Sequence, residues 1–372
     1  MDRNDVLNIT QNHTQPSTRE EIAALLSEKD PARIEQIRKF AYQTLIDECG
    51  DGVYYRGLIE FSNRCSRDCY YCGIRRSNST LDRFDLAKSE IVESALWCAE
   101  NGYGSVVLQS GERSTRSFID FVTDTVAEIK QRTVSDILPD GLGITLCIGE
   151  QSEEDYARLF FAGAHRYLLR IETTNPPLYR RLHPENQQLE NRVECLKRLR
   201  RVGFQVGTGV MFGLPGQTYE MLADDILFFR DIDVDMLGMG PYIPHSMTPL
   251  DSSSGDFMIQ GDDLLRVSLL MIAVCRIVLK DVNIAATTAL QTIDPRGREK
   301  GLWYGANVLM PQLTPSRYRR SYLLYDGKPC QEDTKEECKD CLSARIASVN
   351  RTVRYNQWGD SIHYKKRHAS EK

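Results

Sequence analysis

The chain has no uninterrupted apolar stretch near the roughly 18 residues that a membrane-spanning helix needs; the longest of note, 269–274, is far shorter. It has no excess of positive charge. Its 47 Lys and Arg are outnumbered by 52 Asp and Glu, giving a net charge of -5, so no basic field attracts nucleic acid or an anionic membrane. The start, Met1-Asp2-Arg3-Asn4-Asp5, is polar and lacks the apolar core of a secretion signal. Internal repeats and low-complexity segments are absent too, which excludes solenoids and repeat arrays. The expectation from these absences is a cytoplasmic protein with neither nucleic acid nor membrane as partner. What remains, 41% hydrophobic and 27% charged residues, is the composition of a globular chain with a sizeable core.

Cysteine is the plentiful residue. There are eleven, an odd count that, without an export signal, argues for thiols or thiolate ligands over disulfides. Cys49, Cys98, Cys147, Cys195 and Cys275 stand alone among apolar or helical residues and read as core cysteines. The other six fall into two tight groups of three.

Short β-like runs begin after two helical patterns. Ser17-Thr18-Arg19-Glu20 has the form of a capping box, and Asp30-Pro31 that of an N-cap followed by the first residue of a helix to about residue 48. Strand candidates follow at 58–61, 105–108, 143–147, 167–171, 205–211, 236–239, 283–285 and 307–310. Helical patterns at 89–101, 114–132, 153–162, 192–201, 219–230 and 262–279 separate them. This alternation predicts parallel βαβ units closed into a TIM-type (βα)8 barrel, with a doubly wound open sheet as the alternative. The organisation expected is an N-terminal helical extension (1–52), the barrel (53–311) and a C-terminal capping segment (312–372). The last thirty or so residues, from 343, are polar, and their basic end, 365–368, reads as a solvated tail. In either architecture the functional residues should lie just past the C-terminal ends of the strands.

The first cysteine group obeys that rule. Cys65, Cys69 and Cys72 are spaced C-x3-C-x2-C directly after the first strand candidate. With each residue extending the chain by at most about 3.5 Å, they can wrap only a compact object. A zinc site normally uses four protein ligands, and no fourth Cys or His stands nearby. A 4Fe–4S cubane held by three cysteines leaves one iron open, able to chelate a ligand through amino and carboxylate groups. Electron transfer into a sulfonium held there breaks a carbon–sulfur bond and yields a carbon radical. A zinc site completed from afar, or an unligated loop, is the alternative.

With Tyr71 before the last cysteine, the loop resembles the signature of the radical S-adenosylmethionine (SAM) superfamily, in which this aromatic packs against the adenine of SAM. Phe61-Ser62-Asn63 and Gly73-Ile74-Arg75 around it resemble the branch of biotin synthase, methylornithine synthase and the HydE-type FeFe-hydrogenase maturases. Gln109-Ser110-Gly111-Glu112 resembles the turn that meets the methionine amino group. Glu172 matches a contact to SAM, and Arg192 an arginine that pairs with its carboxylate. Strand alternation would place Arg170 on the same face as Glu172. The likeness covers about residues 20–350. Its later stretches, 236–245, 283–289 and 305–325, resemble the HydE type more than its relatives.

That resemblance implies a 4Fe–4S cluster and SAM as cofactors, with Thr145, Met236 and Tyr322 also in the SAM pocket. It implies a substrate cavity lined by Arg170, Thr287, Thr288, Met310 and Tyr325. It implies a reaction on a cysteine-bound iron carbonyl–cyanide complex, transient contact with HydG and HydF, and an electron donor. Cys330, Cys338 and Cys341, spaced C-x7-C-x2-C, match an auxiliary Fe–S cluster site found in many HydE-type proteins. The rival functions are a radical SAM mutase or sulfur-inserting enzyme on a small organic substrate, and a non-catalytic Fe–S scaffold.

Overall fold

The computed structural model describes residues 14–250 and 259–370, so the polar start read from residues 1–5 lies outside it. Its strands are β1 (Gly52–Ser62), β2 (Ser105–Ser110), β3 (Gly143–Cys147), β4 (Arg166–Leu168), β5 (Gln205–Thr208), β6 (Met211–Phe212), β7 (Met236–Leu237), β8 (Gly240–Pro241), β9 (Asn283–Ile284), β10 (Val308–Leu309) and β11 (Thr352–Val353). Eight of them pair in the order β10-β1-β2-β3-β4-β5-β7-β9, every pairing parallel. A bridge from Ala285 to Val308 brings the two edges together. The sheet therefore comes round as a (βα)8 barrel. A doubly wound sheet would reverse its strand order at a switch point, and no reversal occurs.

The helices fall within a few residues of the periodic patterns. Two strand candidates break instead. The run 205–211 divides and the run 236–239 stops at Leu237, with β6 and β8 pairing separately beyond β5 and β7. The break falls where Gly209 and Gly238 touch: a Cβ on Gly209 would lie 2.2 Å from the Gly238 carbonyl oxygen.

The N-terminal capping box forms one residue later than its sequence pattern suggested. Thr18 Oγ1 accepts the N–H of Glu21, and the Glu21 carboxylate accepts the N–H groups of Thr18 and Ser17. Asp30 and Pro31 open the next helix, Pro31–Cys49, as expected. These helices pack over Tyr219–Asp231 and Asp262–Leu279. Sandwiched between them and the barrel, the helix Asp262–Leu279 buries every residue from 267 to 279. The apolar run 269–274 is thus core. No described helix is long and apolar enough to cross a membrane.

The C-terminal segment corrects an expectation. Its basic end, read as a solvated tail, belongs to the helix Ile362–Ser370, which follows a stretch folded beneath the barrel: β11 pairs with β1, and Trp358, Asp360 and Ser361 insert at the end opposite the cysteine loop. Asp360 Oδ1 accepts from Arg166 Nη1 (2.7 Å), Gln205 Nε2 (2.8 Å) and His165 Nε2 (3.0 Å), and these donors hold its carboxyl well below the usual range against the cost of burial. His363 and Arg367 then pair with Asp233, and Lys366 with Asp281. Polar composition misled because these side chains satisfy one another across the barrel floor. Arg166 is fully buried, and removing one partner of a buried pair costs about 3–5 kcal/mol. Asp360→Ala should lose that much stability in urea unfolding; a loss below about 1 kcal/mol would show that the plug is not structural.

Candidate active site

The cysteine loop leaves the C-terminal end of β1 and is braced from behind. Asn63, fully buried, donates to the carbonyls of Asp82 and Ser321 and accepts the N–H of Phe84. Arg83 spreads its guanidinium over the carbonyls of Asn63, Ile74, Arg75 and Asn78. Held this way, Cys65, Cys69 and Cys72 are half-buried together at the barrel mouth. Burial raises all three thiols, Cys69 to about 11, and Cys69 and Cys65 push Cys72 up further.

Thiols raised by burial and crowding become ligands when a cation compensates them, and the surroundings fit that. Cys65 Sγ already accepts the N–H groups of Arg67 (3.4 Å) and Glu112 (3.3 Å). Gly111 packs so closely that a Cβ there would sit 2.8 Å from Cys65 Cβ. Gln187 Nε2 reaches Cys69 Sγ at 3.6 Å. Among the described residues no three His, Cys, Asp or Glu side chains close on a single metal ion; a cubane spaces its thiolates wider than one ion does.

Around the loop lies a ring of four charges. Arg67, between the first two cysteines, binds the carboxylates of Glu112 and Glu150. Arg192 Nε donates to Glu150 Oε1 at 2.6 Å and its Nη1 to the Arg170 carbonyl at 2.8 Å, while its Nη2 stands 3.9 Å from Glu112. Arg192 is only 8% exposed, so a position that sequence gives as a charge at a helix start is an interior cation.

Glu172 and Arg170 do come together, at 3.0 Å, although β4 ends before them. Glu172 adopts φ 65, a left-handed conformation costing a non-glycine residue about 1–2 kcal/mol. It is pinned there because its N–H donates to Gly209 and its carbonyl accepts from Met211. Burial raises its carboxyl. Tyr71 Oη lies 3.4 Å from His183 Nε2. His183 is kept neutral by burial, its pKa lowered to about 3, and its Nδ1 bonds the Tyr179 carbonyl. The Tyr179 hydroxyl and Arg170 Nε have no partner among the described residues.

Other expected residues sit deeper or to one side. Gln109 Nε2 donates to Tyr322 Oη at 3.3 Å, and Ser110 Oγ to the Gly111 carbonyl. Thr145, Met236 and Met310 line a cavity of about 30 Å³ inside the barrel, where Thr145 Oγ1 accepts from Arg166 and Met236 Sδ from Arg56. Thr287 Oγ1 donates to the Met239 carbonyl, and Tyr325 is half-buried. Thr288 and Met310 line a smaller cavity together with Cys330 and Cys338. There the Cys338 thiol and Arg298 hold the Cys330 thiol down, whereas Cys341 is exposed, with Arg345 Nε on its sulfur. Cys330 and Cys338 therefore share with Met310, which also lines the barrel cavity, the wall of this smaller space.

Sequence reasoning passed over Arg67, Glu150, Gln187, His183 and Arg56. One signal was available: Glu150 follows β3 and Gly149, the place past a strand end where function concentrates.

Residues 59–229 match the family model of the radical SAM superfamily. The FeFe hydrogenase maturase subunit HydE of Thermotoga maritima is 44% identical over 335 residues, 90% of this chain and 91% of its own. Biotin synthase of Aquifex aeolicus is 28% identical over 199 residues, 52% of this chain and 57% of its own. Among solved structures, methylornithine synthase superposes with a TM-score of 0.75 at 19% identity, covering 95% of this chain and 98% of that one. HydG from Carboxydothermus hydrogenoformans gives 0.79 at 19%, covering 95% and 79%. These two share the fold. The identity to HydE over nearly the whole of both chains goes further, and the chain belongs to the radical SAM superfamily as an enzyme of the HydE hydrogenase-maturase family.

Proposed function

We propose that this enzyme matures the diiron part of the FeFe-hydrogenase active site by acting on a cysteine-bound iron carbonyl–cyanide complex. The observation that carries the substrate class is the charge of the chamber floor. Arg56 and Arg166 are both buried there beside the single carboxylate of Asp360, which of the two arginines bonds Arg166. Arg56 donates to a thioether and to the Gly359 carbonyl, and its Nε has no partner among the described residues. Buried charge without a counterion is costly, so the floor favours an anionic occupant, as a cyanide-bearing iron complex is.

In this reading Cys65, Cys69 and Cys72 hold a 4Fe–4S cluster. When bound and reduced, the cluster supplies the electron that cleaves SAM to methionine and a 5′-deoxyadenosyl radical. Arg192 takes the carboxylate end of SAM. Gln109, Ser110 and Gly111 face its amino end, Tyr71 its adenine, and Glu172 its ribose or methionyl part. Thr145, Met236 and Tyr322 complete the pocket. Arg170, Thr287, Thr288, Met310 and Tyr325 line the substrate side, and the plug below keeps water from a radical that it would quench. The enzyme would receive its substrate from HydG, pass product to HydF and draw electrons from a separate donor, in the cytoplasm. Residues 1–52 would act as an extension, 53–311 as the barrel, and 312–372 as cap and plug.

Replacing Arg56 by Met keeps volume and removes the floor charge. The expected outcome in an in vitro maturation assay is at least a tenfold fall in hydrogenase activation, with SAM cleavage retained. Unchanged maturation would overturn the anionic substrate, and turnover of an organic amino acid in its place would favour a mutase or sulfur-inserting reaction.

Cys330, Cys338 and Cys341 would hold a second Fe–S cluster. Arg298 and Arg319 are buried beside them. Arg298 donates to Cys330 Sγ at 3.5 Å, and Arg319 donates to carbonyl oxygens; among the described residues neither forms an ion pair with a carboxylate. Thiolates would supply the missing negative charge. Cys330→Ala together with Cys338→Ala should lower anaerobically reconstituted iron by about two to four atoms per chain while leaving SAM cleavage intact. An unchanged iron count would show that the site holds no cluster.

A further inference from the structure

We propose that Glu150 is a positioning residue that registers the cysteine loop against the carboxylate end of SAM. This assignment rests on the radical SAM reading of the site. Each oxygen of Glu150 takes a different arginine: Oε1 accepts from Arg192 Nε at 2.6 Å, and Oε2 accepts from Arg67 Nη2 at 2.9 Å. Arg67 belongs to the loop, with its own N–H on Cys65 Sγ. Arg192 belongs to the helix Leu189–Val202 on the opposite side of the mouth. One carboxylate therefore ties the element that carries the thiols to the element that carries the cation for the ligand.

The local backbone is shaped for this. Glu150 follows Gly149, which has φ +83 and whose added Cβ would lie 2.1 Å from Glu112 Cγ. Only glycine lets the two glutamates stand side by side. All four charged side chains are largely removed from water, with side-chain exposures of 27% for Arg67, 9% for Glu112, 15% for Glu150 and 10% for Arg192.

The geometry also shows how the ring receives a ligand. Arg192 spends Nε on Glu150 and Nη1 on the Arg170 carbonyl, while Nη2 stands 3.9 Å from Glu112, beyond hydrogen-bond reach. A carboxylate arriving at Nη2 finds a guanidinium whose orientation is already fixed, and preorganisation of this kind spares the ligand the cost of ordering it. Without Glu150, Arg192 would keep its charge but lose its aim, and Arg67 would lean on Glu112 alone.

The test uses the reconstituted, reduced protein, with the cluster EPR signal followed as ligand is added. Wild type, Glu150→Gln and Glu150→Asp are titrated with SAM and with decarboxylated SAM, and iron content is measured alongside. The expected result is that Glu150→Gln keeps wild-type iron but needs about tenfold more SAM for the same spectral change. With the decarboxylated ligand it should titrate like wild type, and Glu150→Asp should fall between. Equal titration of Glu150→Gln and wild type by SAM, or an equal penalty on both ligands, overturns the assignment. If Glu150→Gln fails to retain iron, Glu150→Asp decides: a penalty confined to SAM supports the role, and an equal one overturns it. A wild-type spectrum blind to SAM would overturn the enzyme reading itself.

Discussion

Taking a charge out of water costs several kcal/mol unless the fold supplies a partner, and the barrel meets this constraint at both ends. At the mouth, Arg67, Arg192, Glu112 and Glu150 neutralise one another around three thiols. At the floor, Asp360 answers Arg166 and leaves Arg56 over. In the proposed function the two ends serve different ligands. A balanced ring suits SAM, which brings both charge signs in one molecule, whereas a cationic floor suits an anion. The rest of the architecture, from the buried helix Asp262–Leu279 to the plug at Trp358–Ser361, keeps water away from both places.

The cysteine loop and the strand order were legible because their signals are local. A C-x3-C-x2-C spacing spans eight residues, and parallel strands between helices announce themselves by period. What escaped was pairing over long separations. Arg67 meets Glu150 from 83 residues away, and Arg166 meets Asp360 from 194; neither pairing leaves a trace in its neighbourhood. The basic end 365–368 looked like a tail because Lys366 and Arg367 find their partners elsewhere in the chain, which composition cannot show.

Glu172 marks the boundary between the two kinds of information. Alternation put it on one face with Arg170, and the two do pair. The rule that gave this, however, assumed a strand through residue 171, and β4 stops at Leu168. The contact arises instead from a left-handed residue pinned by Gly209 and Met211. A left-handed conformation at a buried carboxylate is a place where tertiary pinning overrides local rules.

The central claim is that the three cysteines at the end of β1 make a site for reductive cleavage of SAM. The most direct measurement is 5′-deoxyadenosine released by anaerobically reconstituted, dithionite-reduced protein, wild type against Cys65→Ala. The account predicts its formation by wild type and none above background from the variant. A wild type that carries iron and sulfide yet leaves SAM intact would contradict it.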